Sequence, residues 1–227
     1  MSVTPVTVMP VTPTIVRSDF DSQIFGMEIG WATSTPTGDF ESYGYDVVFL
    51  RTPLPCRPHP RVALIDVRLD MVRNCAGPTA NTNPTVRVAN DPADFSFAAI
   101  LAERAFLHVS RYAADPILRP RAGEVYRRWA LNAYARGDLY VFDDRGFMTI
   151  SQTDDALRVD LIAVAEEHRG RGVGQDMLRA FLCLPGPQAR RIRVEAANVP
   201  ALKSYKTAGF AVERAEVVQH LHRRPTI

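Results

Sequence analysis

The order of apolar runs predicts a mixed α/β protein with a smaller β-rich lobe ahead of its main domain. Three observations carry this expectation. Strand-like runs crowd residues 19–73, a stretch rich in Asn, Thr, Gly and Pro follows, and from there helices and strands alternate to the end. A chain of 227 residues and 25.3 kDa can bury a core as one large domain or as two lobes.

Residues 1–16, MSVTPVTVMPVTPTIV, alternate Val, Thr and Pro, which suits an extended tail. They carry no basic segment and have prolines at 5, 10 and 13, so no signal helix is expected. No apolar run has the length of a membrane span, so a cytoplasmic protein without membrane contact is expected. Residues 17–83 form the β-rich lobe, with IFGMEIGWA, YDVVFLRTPL and RVALIDVRLDMV as its strands. NCAGPTANTNP, residues 74–84, reads as a linker, and residues 84–227 as the main domain.

In that domain Asp91 or Asp94 is the expected cap of a helix with apolar positions 98, 101, 102 and 106. A second helix is predicted over Arg121 to Ala135, ended by Gly137. LYVF, FMTISQ and LRVDLIAVA then read as strands. Leu157, Val159, Leu161 and Ala163 share one face of the last, and Ile162 with Val164 predicts burial on both sides at its far end. A helix from Val173 to about Leu184, a strand around RIRVEA, a helix after Asn198 and strands after Gly209 complete the order.

Hydrophobic residues at 46% and charged residues at 23% exclude disorder and fibrous repeats. A net charge of +2 without blocks of like charge, and no basic stripe, speak against nucleic acid as a partner, so any anion site must be local. Cys56, Cys75 and Cys183 form no CxxC pair, which argues against a disulfide framework and a zinc ribbon; Cys183 reads as core. His220 and His222 share a strand face but have no evident third ligand, so no metal is expected.

The stretch AEEHRGRGVG, residues 165–174, places glycines 170, 172 and 174 between a hydrophobic strand and a helix. Glycines there let backbone approach a ligand closely, and the unpaired N–H groups of a helix start favour an anion. The plainer reading is a glycine-rich turn capping a helix. Neither a GxxxxGK loop nor GxGxxG fits, since Met177 stands three residues beyond Gly174. Arg169 and Arg171 add charge, and Val173, Met177, Leu178, Phe181 and Leu182 form an apolar stripe suited to packing on a sheet. Downstream, VEAANVPALKSYKTAGF has Asn198 where an N-cap belongs, Pro200 in the first helical turn and Gly209 at a C-terminal turn. Tyr205 lies two helical turns after Asn198 on the same face, so both can line one groove.

Arg169-x-x-Gly172-x-Gly174, followed by the Asn198, Tyr205 and Gly209-Phe210 pattern, resembles the GNAT superfamily of N-acetyltransferases over residues 92–222. The resemblance implies the GNAT fold, a mixed and mostly antiparallel sheet flanked by helices with splayed central strands. It further implies acetyl-coenzyme A as co-substrate. Its pyrophosphate would be held by Arg169, Gly170, Arg171, Gly172, Val173 and Gly174, and its pantetheine arm and thioester carbonyl by backbone of Leu161, Ile162, Ala163 and Val164. Asn198 and Tyr205 would complete the cofactor site and act in catalysis, with Tyr205 giving its proton to the departing thiolate after direct attack by an amine. For a base, Asp160, Glu195 and His108 are candidates, each also readable as a surface charge or polar core residue.

FDSQIFGMEIG and the stretch SRYAADPILRPRAGEVYRRWALNAYARGD are similar to the sugar-amine branch of the superfamily, the dTDP-fucosamine type, with Phe20 where Trp is usual. That implies a dTDP-linked amino sugar as acceptor and admits a homodimer. Arg111, Tyr112, Tyr126 and Trp129 are the expected substrate contacts, because guanidinium forks suit a diphosphate and flat rings a base or sugar. A solvated arginine-rich helix with Tyr126 and Trp129 packed inward accounts for the same residues. A small amine, an antibiotic or a protein amino terminus is the alternative acceptor, and a coenzyme-binding lobe without catalysis the rival from another class.

Overall fold

The computed structural model describes residues 14–36, 43–75 and 86–223; most of the expected tail and linker lie outside them. Contacts divide the chain into two compact units, one running to Ile65 and resuming at Val218, the other from Asp66 to Val217. Strands β4 (Val62–Asn74) and β10 (Ala211–His222) contribute residues to both. Among the described residues no helix is long and apolar enough to cross a membrane.

The first unit contains β1 (Val16–Arg17), α1 (Asp19–Phe25), β2 (Ile29–Ala32) and β3 (Val47–Pro53) beside the end of β10. Strands β1 and β2 are antiparallel and β2 and β3 parallel, and Ala32, Val48, Leu50 and Leu221 form a small core. The run IFGMEIGWA is not one strand. Ser18 caps a helix by accepting the Asp21 N–H at 3.4 Å, and Gly26, at φ +65°, closes it by donating to Ser22 O at 2.9 Å. Ile24 and Phe25 are therefore buried helix residues, and the strand begins only at Ile29. His220 is buried with its ring 4.4 Å from that of Phe49, His222 is buried too, and no group of three metal-ligating side chains occurs among the described residues.

After its share of β4, the second unit continues with β5 (Val86–Val88) and α2 (Pro92–Ala105), where both expected caps act. Asp91 accepts the Ala93 N–H, while Asp94 accepts that of Asp91. Then come α3 (Arg111–Ala114), α4 (Ala122–Arg136) ended by Gly137 at φ +77°, β6 (Leu139–Phe142), β7 (Gly146–Gln152) and β8 (Ala156–Val164). Helix α5 (Val173–Cys183), β9 (Ala189–Glu195) and α6 (Val199–Thr207) lead into β10. The sheet of this unit runs β10-β4-β9-β8-β7-β6-β5. The β4–β9, β7–β8, β6–β7 and β5–β6 pairs are antiparallel, and β8–β9 is parallel. Met177, Leu178 and Phe181 of α5 pack with Met148, Val159, Ile192 and Phe210 in the main core, each such side chain contributing ~1.5–3 kcal/mol of transfer free energy.

One irregularity shapes the sheet. On β7, Thr149 pairs with Leu161 but Ile150 pairs with Val159, so Asp160 is an extra residue bulged out of β8. The β8–β9 pairing extends only from Ala156↔Ala189 to Val159↔Ile192. Beyond it β8 stays on β7 as far as Val164↔Gly146, whereas β9 stays on β4 as far as Glu195↔Arg68. The two central strands part and leave a cleft. Ile162 and Val164 are in consequence half-buried, not enclosed on both sides as their sequence predicted, because the neighbouring strand has moved away from them.

Candidate active site

Where the strands part, a cavity of ≈ 160 Å³ opens within the second unit. Leu161 and Ile162 of β8, Glu195 of β9, and Asn198 and Tyr205 at the start and middle of α6 line it, together with Asp160. Its far wall is made by Arg111, Tyr112, Tyr126 and Trp129. Residues as far apart in sequence as Arg111 and Tyr205 line this one cavity.

Each group is held by identifiable contacts. Asn198 Oδ1 accepts the Ala201 N–H at 3.3 Å and caps α6, which fixes the helix start at the cavity edge. Tyr205, one helical face further on, is 6% exposed, and its ring stands edge-on to Phe210 with centroids 6.4 Å apart. Burial, with the nearby charge of Glu195, pushes the Tyr205 phenol well above its ordinary range, so it holds its proton firmly. Tyr126 donates to Ser110 Oγ at 2.8 Å and stacks on Phe106 with centroids 4.8 Å apart; burial pushes its phenol up to about 12. Arg111 lies over the Tyr112 ring at 3.9 Å and also donates to the Tyr112 hydroxyl. Burial raises the Asp160 carboxyl above the usual range, opposed by a hydrogen bond from Ser151.

Backbone direction follows from the same contacts. Leu161 N–H donates to Thr149 Oγ1 at 3.1 Å and Ala165 N–H to Arg145 O at 2.9 Å, both toward the β7 side. Peptide groups alternate in direction along a strand, so those of Ile162 and Val164 face the cleft. Arg169 Nε donates to Val164 O at 3.2 Å, which ties the glycine loop to this strand end.

Within the loop Gly170 and Gly172 have φ of +72° and +84°, a region that L side chains adopt only with strain. Gly174 needs no such freedom. A Cβ added there would come no closer than 3.7 Å to any atom of the chain, Val164 Cγ2 being the nearest, so its missing side chain leaves space beside the cleft. No side chain caps the N-terminus of α5. Open N–H groups, helix dipole and free space together fit the phosphates of a nucleotide-bearing acyl carrier. Residues 169–174 do not line the cavity of Tyr205; they stand at the other end of the same strand.

His108, a candidate base, lines a separate concavity of ≈ 400 Å³ with Phe97, Leu101 and Arg169. Cys183 is half-buried at the end of α5. Sequence reading passed over Arg68 and Asp66 of β4 and the buried Thr149. The signal for the first two was present: RVALIDVRLDMV puts Asp66, Arg68 and Asp70 at strand spacing, a charged face within an apolar run. Arg68 lines the cavity at 8% exposure, and burial, with Arg111 and Arg193 close by, lowers its pKa to about 10. Burial and the charge of Glu195 raise the Asp66 carboxyl to about 6, against the opposing pull of Arg111 and Arg68.

A parted β8–β9 pair, a bulge at the parting and an uncapped glycine-rich helix start define the class: the chain has the GNAT fold, α/β with a mixed sheet flanked by helices. Residues 133–212 match the family model of the acetyltransferase (GNAT) domain, in keeping with that fold. One similar solved structure is a GCN5-related N-acetyltransferase from Sphaerobacter thermophilus, with TM-score 0.60 and 14% identity over 95% of this chain and 77% of that one. A second is a functionally unknown conserved protein from Staphylococcus epidermidis, with TM-score 0.62 and 13% identity over 95% and 93% of the two chains. No curated protein sequence matches the chain significantly.

Proposed function

We propose that the protein transfers an acetyl group from acetyl-coenzyme A to the primary amine of a small acceptor, by direct attack in a ternary complex. The reading is supported chiefly by one juxtaposition: a buried, firmly protonated phenol, the cleft-facing backbone of β8 and two carboxylates share one cavity. Bound acetyl-coenzyme A supplies an acetyl thioester, activated toward amines.

The chain's own groups have separable tasks. Main-chain N–H groups of residues 170–174 hold the phosphates, with Arg169, whose own N–H is bonded to Glu166 O, and Arg171 adding charge. Peptide groups of Ile162 and Val164 hold the extended arm as a neighbouring strand would and present N–H donors to the developing oxyanion. Tyr205 keeps a proton on Oη for the departing sulfur. Asp160 or Glu195 takes the proton of the amine; desolvation raises the pKa of half-buried Asp160, which makes its carboxylate a stronger base than a fully exposed one. Asn198 positions α6 and with it Tyr205.

A nucleotide-linked amino sugar draws support from Arg111 with the rings of Tyr112, Tyr126 and Trp129. Of the arginines in residues 110–138, however, Arg111 alone lines this cavity: Arg119 donates to Ala113 O, Arg121 pairs with Glu124, and Arg127 and Arg128 are exposed on α4. The small-amine acceptor is the better-supported reading. The test is release of free thiol from acetyl-coenzyme A on adding a panel of primary amines, dTDP-amino sugars included. Amine-dependent release is expected. Binding of acetyl-coenzyme A without release under any amine would leave only a coenzyme-binding lobe.

A further inference from the structure

Arg68 is a buried charge whose hydrogen-bonding capacity the chain leaves partly unused. It is 8% exposed, its Nε has no hydrogen-bond partner, and its one ion pair among the described residues is loose, 4.0 Å from Nη1 to Glu216 Oε1. Among its neighbours Arg111 and Arg193 disfavour its charge, while Glu195 and Tyr112 favour it. Arg193 is itself committed to Asp70 at 2.5 Å. A buried guanidinium is costly unless charge and hydrogen bonds compensate it, and here the protein supplies neither in full. Arg68 lines the same cavity as Tyr205.

From this we infer that the acceptor carries an anionic group, a carboxylate, which Arg68 binds a few bonds away from the reacting amine. The inference rests on the acetyl-transfer reading for the amine but not for the anion. Short range follows from the ladder. Arg68 is the direct cross-strand partner of Glu195, and neighbours of that kind have Cβ atoms about 4.5–5.5 Å apart. Glu195 is near enough to Tyr205 to perturb its phenol. An amine reaching the centre beside Tyr205 and Glu195 thus has Arg68 within the length of an amino acid. A guanidinium fork fits a carboxylate with two parallel hydrogen bonds. The phosphates of a coenzyme are not what Arg68 serves, because the glycine loop lies outside this cavity. The class of acceptor is an amino acid or a compound like one.

Two measurements test this separately from catalysis. Thermal shift with benzoate against its neutral isostere benzamide reads the anion site alone; benzoate is expected to raise the melting temperature more, Arg68→Met to abolish the difference and Arg68→Lys to keep part of it. Thiol release with each common amino acid against its C-terminal amide reads the acceptor. The acid is expected to exceed its amide by about tenfold or more in kcat/KM, with Arg68→Met bringing the ratio near one. Benzamide acting as well as benzoate, or amides turning over as well as acids, overturns the inference while leaving acetyl transfer in place. Benzoate binding through Arg68 with no thiol release under any amine sinks acetyl transfer and leaves the anion site. If Arg68→Met does not fold, the acid-to-amide comparison in the natural protein and Arg68→Lys decide alone.

Discussion

Arg68 on β4 stands directly across the ladder from Glu195 on β9, and both line the cavity that Tyr205 enters from α6. One strand pair therefore presents a cation and an anion side by side, at the edge where β9 has left β8. Charges of both signs at that spacing suit an acceptor that is itself both cationic and anionic, and they give each nearby residue a definite expected behaviour.

Tyr205→Phe removes the proton source without changing the ring packing on Phe210. Turnover is expected to fall by about 10²-fold or more at a little-changed KM for acetyl-coenzyme A. The raised phenol also fixes a direction in pH. A donor fails when it loses its proton, so any alkaline limb due to Tyr205 lies above the ~10 of a free phenol. Steady-state kinetics at saturating amine check both points; an unchanged kcat in the variant removes the role.

The glycines of the loop separate folding from binding. Gly172→Ala forces a side chain into φ +84° and is expected to cost about 1–3 kcal/mol, read as a lower melting temperature. Gly174→Glu adds an acidic residue to the first turn of α5, which favours the helix, yet places bulk and negative charge beside the cleft. It is expected to keep the melting temperature and to weaken acetyl-coenzyme A binding by more than about tenfold. Equal affinity in calorimetry would move the phosphates away from this loop.

Thr149→Val keeps the side-chain shape and deletes the acceptor of the Leu161 N–H, leaving a buried donor unpaired next to the bulge. A loss of about 1–3 kcal/mol in denaturant unfolding is expected. The bulge at Asp160 then loses its anchor on β7, and kcat is expected to drop along with stability.

Asp66 makes stability depend on pH in the less common direction. Its folded-state carboxyl, raised to about 6 from 3.8, binds a proton that the unfolded chain has already released. Stability is highest below the unfolded value, falls as pH rises toward 6, and carries the whole cost above it. Asp66→Asn is expected to stabilise the protein by about 1–3 kcal/mol at pH 7 and hardly at all at pH 4. Urea melts at the two pH values show it; a variant equally destabilised at both would mean that Asp66 is a structural hydrogen-bond partner.

The glycine loop, the Asn198 cap, the Gly137 turn and the longer helices and strands after Asp91 were legible in the sequence, whereas the short β5 and α3 were not. Each legible feature is decided by its own neighbours in the chain: a cap by a side chain within three residues, a helix end by a residue that tolerates positive φ, a strand by alternation. Even the start of α1 was written there, in Ser18 and Asp21, although apolar alternation after it suggested a strand. Arg111, Tyr112, Tyr126 and Trp129 were named from the sequence, and the fold brings all four into the cavity with Tyr205. The extra residue in β8, the parting of β8 from β9 and the place of Arg68 opposite Glu195 were not legible. Register and pairing are properties of two strands at once, set by contacts that no single segment contains, whether the partners are near in the chain, as Thr149 and Leu161 are, or far apart, as Arg68 and Glu195 are. The sequence by itself determined what chemistry the chain carries; only the tertiary structure decided which charges meet, because burial and strand partners, not residue type, set what each of them must bind.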